Sequence, residues 1–144
     1  GFWDHVNFDS PDTAFAEIND KNVIEKANDR YVIYRMNDRI LFDDNKSDIR
    51  PPGEKGLRQI GASLNQKFKD ADVKIYSLTD SSGEKQNSQL ARQRAESVKN
   101  FLIKNSKMND QDISIFPVDE SRYSTHISTG GNQPVNTIEI VAKR

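Results

Sequence analysis

Ile75–Leu102, IYSLTDSSGEKQNSQLARQRAESVKNFL, reads as an apolar strand, a short polar loop and an amphipathic helix. The strand begins at Val73. Val73, Ile75 and Ser77 fall on one face of it, and Lys74, Tyr76 and Leu78 on the other. Thr79-Asp80 opens the loop and Gly83 turns it. The helix runs from Asn87 or Ser88 to Lys104, with Ala91, Ala95, Val98, Phe101 and Leu102 as its apolar face. Arg94 lies three residues from Ala91 and four from Val98, so it borders the buried face. Arg92 groups with Glu96 and Lys99 on the solvent side. Arg94 can therefore lay its stem along the core while its guanidinium reaches the loop above the helix start. A guanidinium matches a carboxylate in a two-pronged contact, and the Asp80 carboxylate accepts from an ammonium. The pair suits a ligand with an amino-acid head group, or it closes on itself as a salt bridge that ties loop to helix.

Outward from this unit, Ile113–Val118 and Thr137–Ala142 read as strands, separated by a long loop with Gly130, Gly131 and Pro134. On the other side, Leu57, Ile60, Leu64 and Phe68 step by three or four residues, which predicts a helix from Gly53 after Pro51-Pro52. Tyr31–Met36, YVIYRM, is β-branched and aromatic and reads as a strand. Asn37-Asp38 marks a turn, with Arg39–Phe42 continuing extended. Residues 13–28 read as helical, with Phe15, Ile18, Val23 and Ile24 on one face. Residues 1–12 form an aromatic arm that either covers a domain edge or meets a partner. Strands alternating with helices predict an α+β two-layer sandwich, a mixed four-stranded sheet with helices on one face. The expected division is an arm and helix over residues 1–30 and one domain over residues 31–144.

Of the 144 residues, 30% are charged, and 21 basic against 22 acidic side chains leave a net charge of −1. Nothing here forms the clustered basic face that nucleic acid requires. There is no cysteine, which excludes disulfides and thiolate metal sites. No apolar run approaches the ~20 residues that span a bilayer, so a membrane link is expected only through an anchor outside this chain. Asp43 and Asp44 adjoin and read as a turn rather than an acid–base pair. His5 and His126 have no sequence-local partners, and no nucleophile elbow is present. No cofactor, metal or enzymatic activity is expected.

The motifs resemble a known family. ILFDDNKSDIRPPG (40–53) resembles the extended opening segment of OmpA-like peptidoglycan-binding domains, and SLTDSSG (77–83) their GHTDxxG loop. NSQLARQRAESVKNFLI (87–103) resembles their NxxLSxxRAxxVxxYL helix. DQDISIFPVDES (110–121) and TIEIVAKR (137–144) stand where that family has its last two strands. The resemblance implies that Asp80 meets the ammonium, and Arg94 the carboxylate, of diaminopimelate in a peptidoglycan stem peptide. It also implies that Thr79, Gly83 and Asn87 shape the loop and seat the helix. It places the protein in the periplasm, associated with the outer membrane, with further envelope subunits meeting residues 1–30. The family's Gly-His is here Ser77-Leu78, its helix serine is Ala91, and the second aromatic of its opening segment is Asp44. Of its glycine-rich stretch before the last strand, only Glu120 remains. Its double arginine before that strand is Asn136-Thr137, which removes a positive group near the ligand pocket. These departures admit a second expectation, a scaffold module of an envelope assembly, such as a secretion-system lipoprotein, in which wall binding is weakened or lost.

Overall fold

The structure, a computed structural model, describes residues 1–78, 84–118 and 136–144, with the backbone alone for residues 84–88 and 117–118. Its core is one sheet with strand order β1-β2-β3-β6-β4-β5, six strands rather than the four expected. The strands are β1 (Asp12–Thr13), β2 (Ile24–Ala27), β3 (Tyr31–Asn37), β4 (Val73–Leu78), β5 (Ile113–Val118) and β6 (Thr137–Lys143). β4 and β5 run parallel, and every other pairing is antiparallel. Helices α1 (Asp38–Leu41), α2 (Pro51–Lys67) and α3 (Glu84–Ser106) complete the α+β fold, with the helices packed on one face.

The two additional strands come from the segment read as a helix over residues 13–28. That reading is corrected. Residues 14–23 form an irregular strap along α2, held by side chains rather than by a helical ladder. Gln59 Oε1 accepts from the backbone N–H of both Asn19 and Asp20, at 3.0 Å each, and Gln59 Nε2 donates to Asn19 Oδ1 at 2.7 Å. Glu25 accepts from Phe15 N at 3.2 Å, and Ser63 Oγ donates to Glu17 at 2.6 Å. Such polar contacts satisfy the backbone without a helix. The apolar residues that suggested an amphipathic face, Phe15, Ile18 and Val23, are drawn into the core from the strap.

The second correction concerns Arg39–Phe42, expected to be extended. Asp38–Leu41 instead makes one helical turn, capped by Asn37 Oδ1, which accepts from Arg39 N at 2.9 Å. α2 starts at Pro51, where proline's missing N–H costs nothing. It buries Leu57, Ile60 and Leu64.

Strand alternation divides the sheet between two cores. Val32, Tyr34, Met36, Val73, Ile75, Ile138, Ile140 and Ala142 face the helices. Tyr31, Ile33, Tyr76, Leu78 and Val141 face the other way and are covered by Val6 and Phe8 of the N-terminal arm, with Phe2 and Trp3 at the margin. The same back face holds Glu139 at the centre of β6, 0% exposed. Arg35 of β3, its cross-strand neighbour, donates through Nε at 2.7 and 2.9 Å to its two oxygens. Arg35 Nη2 continues to the Phe8 carbonyl at 2.7 Å, which ties the arm to the sheet. Burial outweighs the arginine, and the Glu139 carboxyl is pushed up to about 7.

Candidate ligand-binding site

The site is built where β3 ends, β6 begins and α3 passes overhead. Asn37 pairs with Thr137, and Asp38 N donates to the Asn136 carbonyl at 2.9 Å. The α1 turn therefore starts beside the first residues of β6. Phe42 follows, buried against the core, and the chain turns back through Asp43, Asp44 and Asn45 (φ 58°) toward α2. The left-handed backbone at Asn45 suits asparagine, whose short side chain tolerates it.

On α3, Ala91, Ala95, Val98 and Leu102 are fully buried, as the helix wheel predicts. Arg94 lies at the margin of that face, 7% exposed. Its guanidinium points at the 38–46 segment. Nη1 meets Asp38 Oδ2 at 3.2 Å, Nε donates to the Lys46 carbonyl at 2.8 Å, and Nη2 donates to the Asp43 carbonyl at 3.1 Å. The guanidinium carbon stands 4.9 Å from the centre of the Phe42 ring. Burial raises the Asp38 carboxyl above its ordinary range, opposed by the charges of Arg94 and Arg39. Burial also lowers Arg94, opposed by Asp38 and Asp44.

Two hollows open on either side. One, about 460 Å³, is lined by Arg39, Phe42, Asp43, Asp44 and Arg50. The other, about 210 Å³, lies between Asn45 and the Gln89, Leu90 and Gln93 side of α3. Within the first, Arg50 pairs with Asp43 at 3.2 Å and donates to the Arg39 carbonyl.

Of the residues singled out from the sequence, Arg94 stands at the core margin as expected. Thr79, Asp80 and Gly83 lie outside the described residues, as does the side chain of Asn87. His126, Glu120 and the Gly130-Gly131 pair lie outside them too, and His5 is exposed. The partners that Arg94 makes, Asp38 and the carbonyls of Asp43 and Lys46, were missed by the sequence reading. They sit about fifty residues away along the chain, at separations of 56, 51 and 48. The available signal was Asn37-Asp38 before an apolar pair, a cap pattern read there only as a turn. Among the described residues, no group of three or more His, Cys, Asp or Glu side chains could hold a metal ion.

The OmpA family model matches residues 41–137, from the last residue of the α1 turn to the start of β6, and so includes Arg94 and the 42–46 segment, while Asp38 and Arg39 precede it. The chain belongs to the OmpA family. Its match to the family's "Outer membrane protein A" of Shimwellia blattae is 38% identical over 66 residues, 44% of this chain and 27% of that protein. The chain thus spans only part of that relative. Among solved structures, it is similar to the periplasmic domain of Helicobacter pylori MotB. The TM-score is 0.71 at 17% identity, over 93% of this chain and 87% of that one. It is also similar to the cell wall anchor of the T6SS from Pseudomonas aeruginosa. There the TM-score is 0.68 at 16% identity, over 85% of this chain and 88% of that one. At these identities the likeness is one of fold.

Proposed function

We propose that this OmpA-family domain is a non-catalytic module that holds an envelope protein or complex to the peptidoglycan wall, in the periplasm and in association with the outer membrane. The observation that carries the reading is the placement of Arg94. Its planar fork is held by three acceptors of the 38–46 segment, and that segment in turn lines an open basin through Arg39, Phe42, Asp43 and Asp44. The relationship to a protein described as a cell wall anchor supports the same direction. In the finer form of the reading, Asp80 accepts from the ammonium of diaminopimelate in a stem peptide and Arg94 takes a carboxylate. Thr79, Gly83 and Asn87 shape the loop between them. Residues 1–30 are then the segment through which other envelope subunits dock, and residues 31–144 the wall-binding unit. Among the described residues no helix is long and apolar enough to cross a membrane. The membrane link in this reading is an anchor outside the chain.

Sedimentation with purified sacculi tests it. Wild type should pellet with sacculi, and Asp80→Ala and Arg94→Ala should not. Wild type left in the supernatant would overturn the tether. One observation favours a second reading: Asp38 and two carbonyls already answer the guanidinium of Arg94. On that reading the domain is a scaffold of an envelope assembly in which the arginine braces the 38–46 segment. Loss of folding cooperativity in Arg94→Ala, with wild type failing to sediment, would support the scaffold.

A further inference from the structure

The 460 Å³ basin is lined by one ion pair and by two charges that have no ion-pair partner among the described residues, and the Arg94–Asp38 pair holds the segment behind it. Arg94 is matched by Asp38 and Arg50 by Asp43. Arg39 and Asp44 are left over. Arg39 is exposed on the α1 turn and lines the basin. Among the described residues it is held only through its backbone, its N–H donating to Asn37 and its carbonyl accepting from Arg50. Its charge, like that of Arg94, favours the ionised form of the Asp38 carboxyl. Phe42 is stacked by Arg94 and contributes to the basin wall.

We infer that Arg39 is a ligand-binding residue, the group that takes a second carboxylate of a wall stem peptide lodged in this basin. The inference rests on the wall-binding reading above and deepens it. Arg94 has Nε, Nη1 and Nη2 all committed to the protein, whereas the exposed Arg39 side chain lines the hollow and donates to no protein group among the described residues, which leaves its fork of donors for a ligand. Its backbone is fixed twice, by the Asn37 cap and by Arg50, so only the side chain's own rotamers must be ordered on binding. Diaminopimelate and its peptide carry several carboxylates together with an amine. Asp44, exposed at the same rim and without an ion-pair partner among the described residues, gives the basin a second acceptor for that amine beside the one the wall-binding reading assigns to Asp80. The other charged groups that line the basin are Arg50 and Asp43, which pair with each other, and Asp44, which has no ion-pair partner among the described residues. A neutral or purely anionic ligand would leave one of the two free charges unmatched.

The test uses the whole chain as wild type, Arg39→Gln and Arg39→Lys. The probes are purified sacculi and a soluble stem tripeptide ending in diaminopimelate, titrated at two salt concentrations. Arg39→Gln should melt as wild type does and bind the tripeptide about five- to tenfold more weakly, the scale of one solvent-exposed charge-assisted contact. Its affinity should also respond less to salt. Arg39→Lys should fall between the two, because an ammonium keeps the charge but loses the fork. Arg39→Gln binding as tightly as wild type overturns this inference and leaves the wall-binding reading standing. Arg39→Lys equal to wild type overturns the two-pronged contact. Wild type that binds neither sacculi nor tripeptide overturns both readings at once.

Discussion

Arg35, half-buried, and Arg94, buried, are the two arginines around which this domain ties its irregular segments, one on each side of the sheet. Both pair with a carboxylate and both reach on to backbone carbonyls. Arg35 binds Glu139 and continues to the arm at Phe8, and Arg94 binds Asp38 and continues to Asp43 and Lys46. They differ in what lies beyond. Under the arm, Glu139 is sealed from water. On the helix side, the segment that Arg94 and Asp38 hold lines a basin of about 460 Å³ through Arg39, Phe42, Asp43 and Asp44. The one pair therefore locks an arm over the sheet, and the other braces a segment that faces open solvent. Solvent access, not the pair itself, separates the two roles.

The comparison can be broken at its most buried point. Arg35→Ala leaves Glu139 without its partner in a dry interior, and should cost about 3–5 kcal/mol in chemical denaturation. The loss should be greater at pH 8 than at pH 5, where the stranded carboxyl can take a proton. The arm should become susceptible to proteolysis near Phe8. A loss below ~1 kcal/mol in Arg35→Ala would mean that the arm does not depend on this pair.

Glu139 itself sharpens the contrast through pH. Its carboxyl titrates near 7 when folded and near its ordinary 4.5 when unfolded. The folded chain therefore holds the extra proton between those values, and stability falls as pH rises from about 4.5 through about 7. Wild type should lose on the order of 3 kcal/mol more than Glu139→Gln across that window. Parallel stability–pH curves for the two proteins would contradict the assignment.

Smaller effects are expected on the open side. Arg94→Ala removes a charged partner and two carbonyl contacts, and should cost about 2–3 kcal/mol. Increased hydrogen exchange should be confined to residues 38–46. Exchange spreading through β4 and α3 would make Arg94 a core residue rather than a brace. The smallest change in stability belongs to Arg39→Gln, expected within about 0.5 kcal/mol of wild type because the side chain is exposed. A larger loss of stability would place Arg39 in the fold instead of the basin.

Much of the fold was legible before the structure. β4 and β5 match their expected bounds, since alternating or continuous β-branched runs encode both a strand and its two faces. Val73 and Ile75 face the helices while Tyr76 and Leu78 face the arm, as period-two alternation requires. The same periodic argument misled over residues 13–28, because Phe15, Ile18 and Val23 are pulled inward from a strap whose backbone is satisfied by Gln59 and Glu25. The four-strand count failed with it. In the site, the position of Arg94 on its helix was legible, but its partners were not. The clamp with Asp80 stays a proposal, since that residue lies outside the described ones.

By itself, the sequence determined which side of β4, α2 and α3 is buried, including the margin where Arg94 sits, because that depends only on local spacing. It also carried the family, through motifs kept in order. Which charges meet was decided by the tertiary structure alone. Arg35 and Glu139 are 104 residues apart in the chain, and Arg94 and Asp38 are 56 apart. No local rule pairs them. Their contact depends on which strands are neighbours and on how α3 lies over the turn after β3. That packing also leaves Arg39 without a partner among the described residues and facing a hollow.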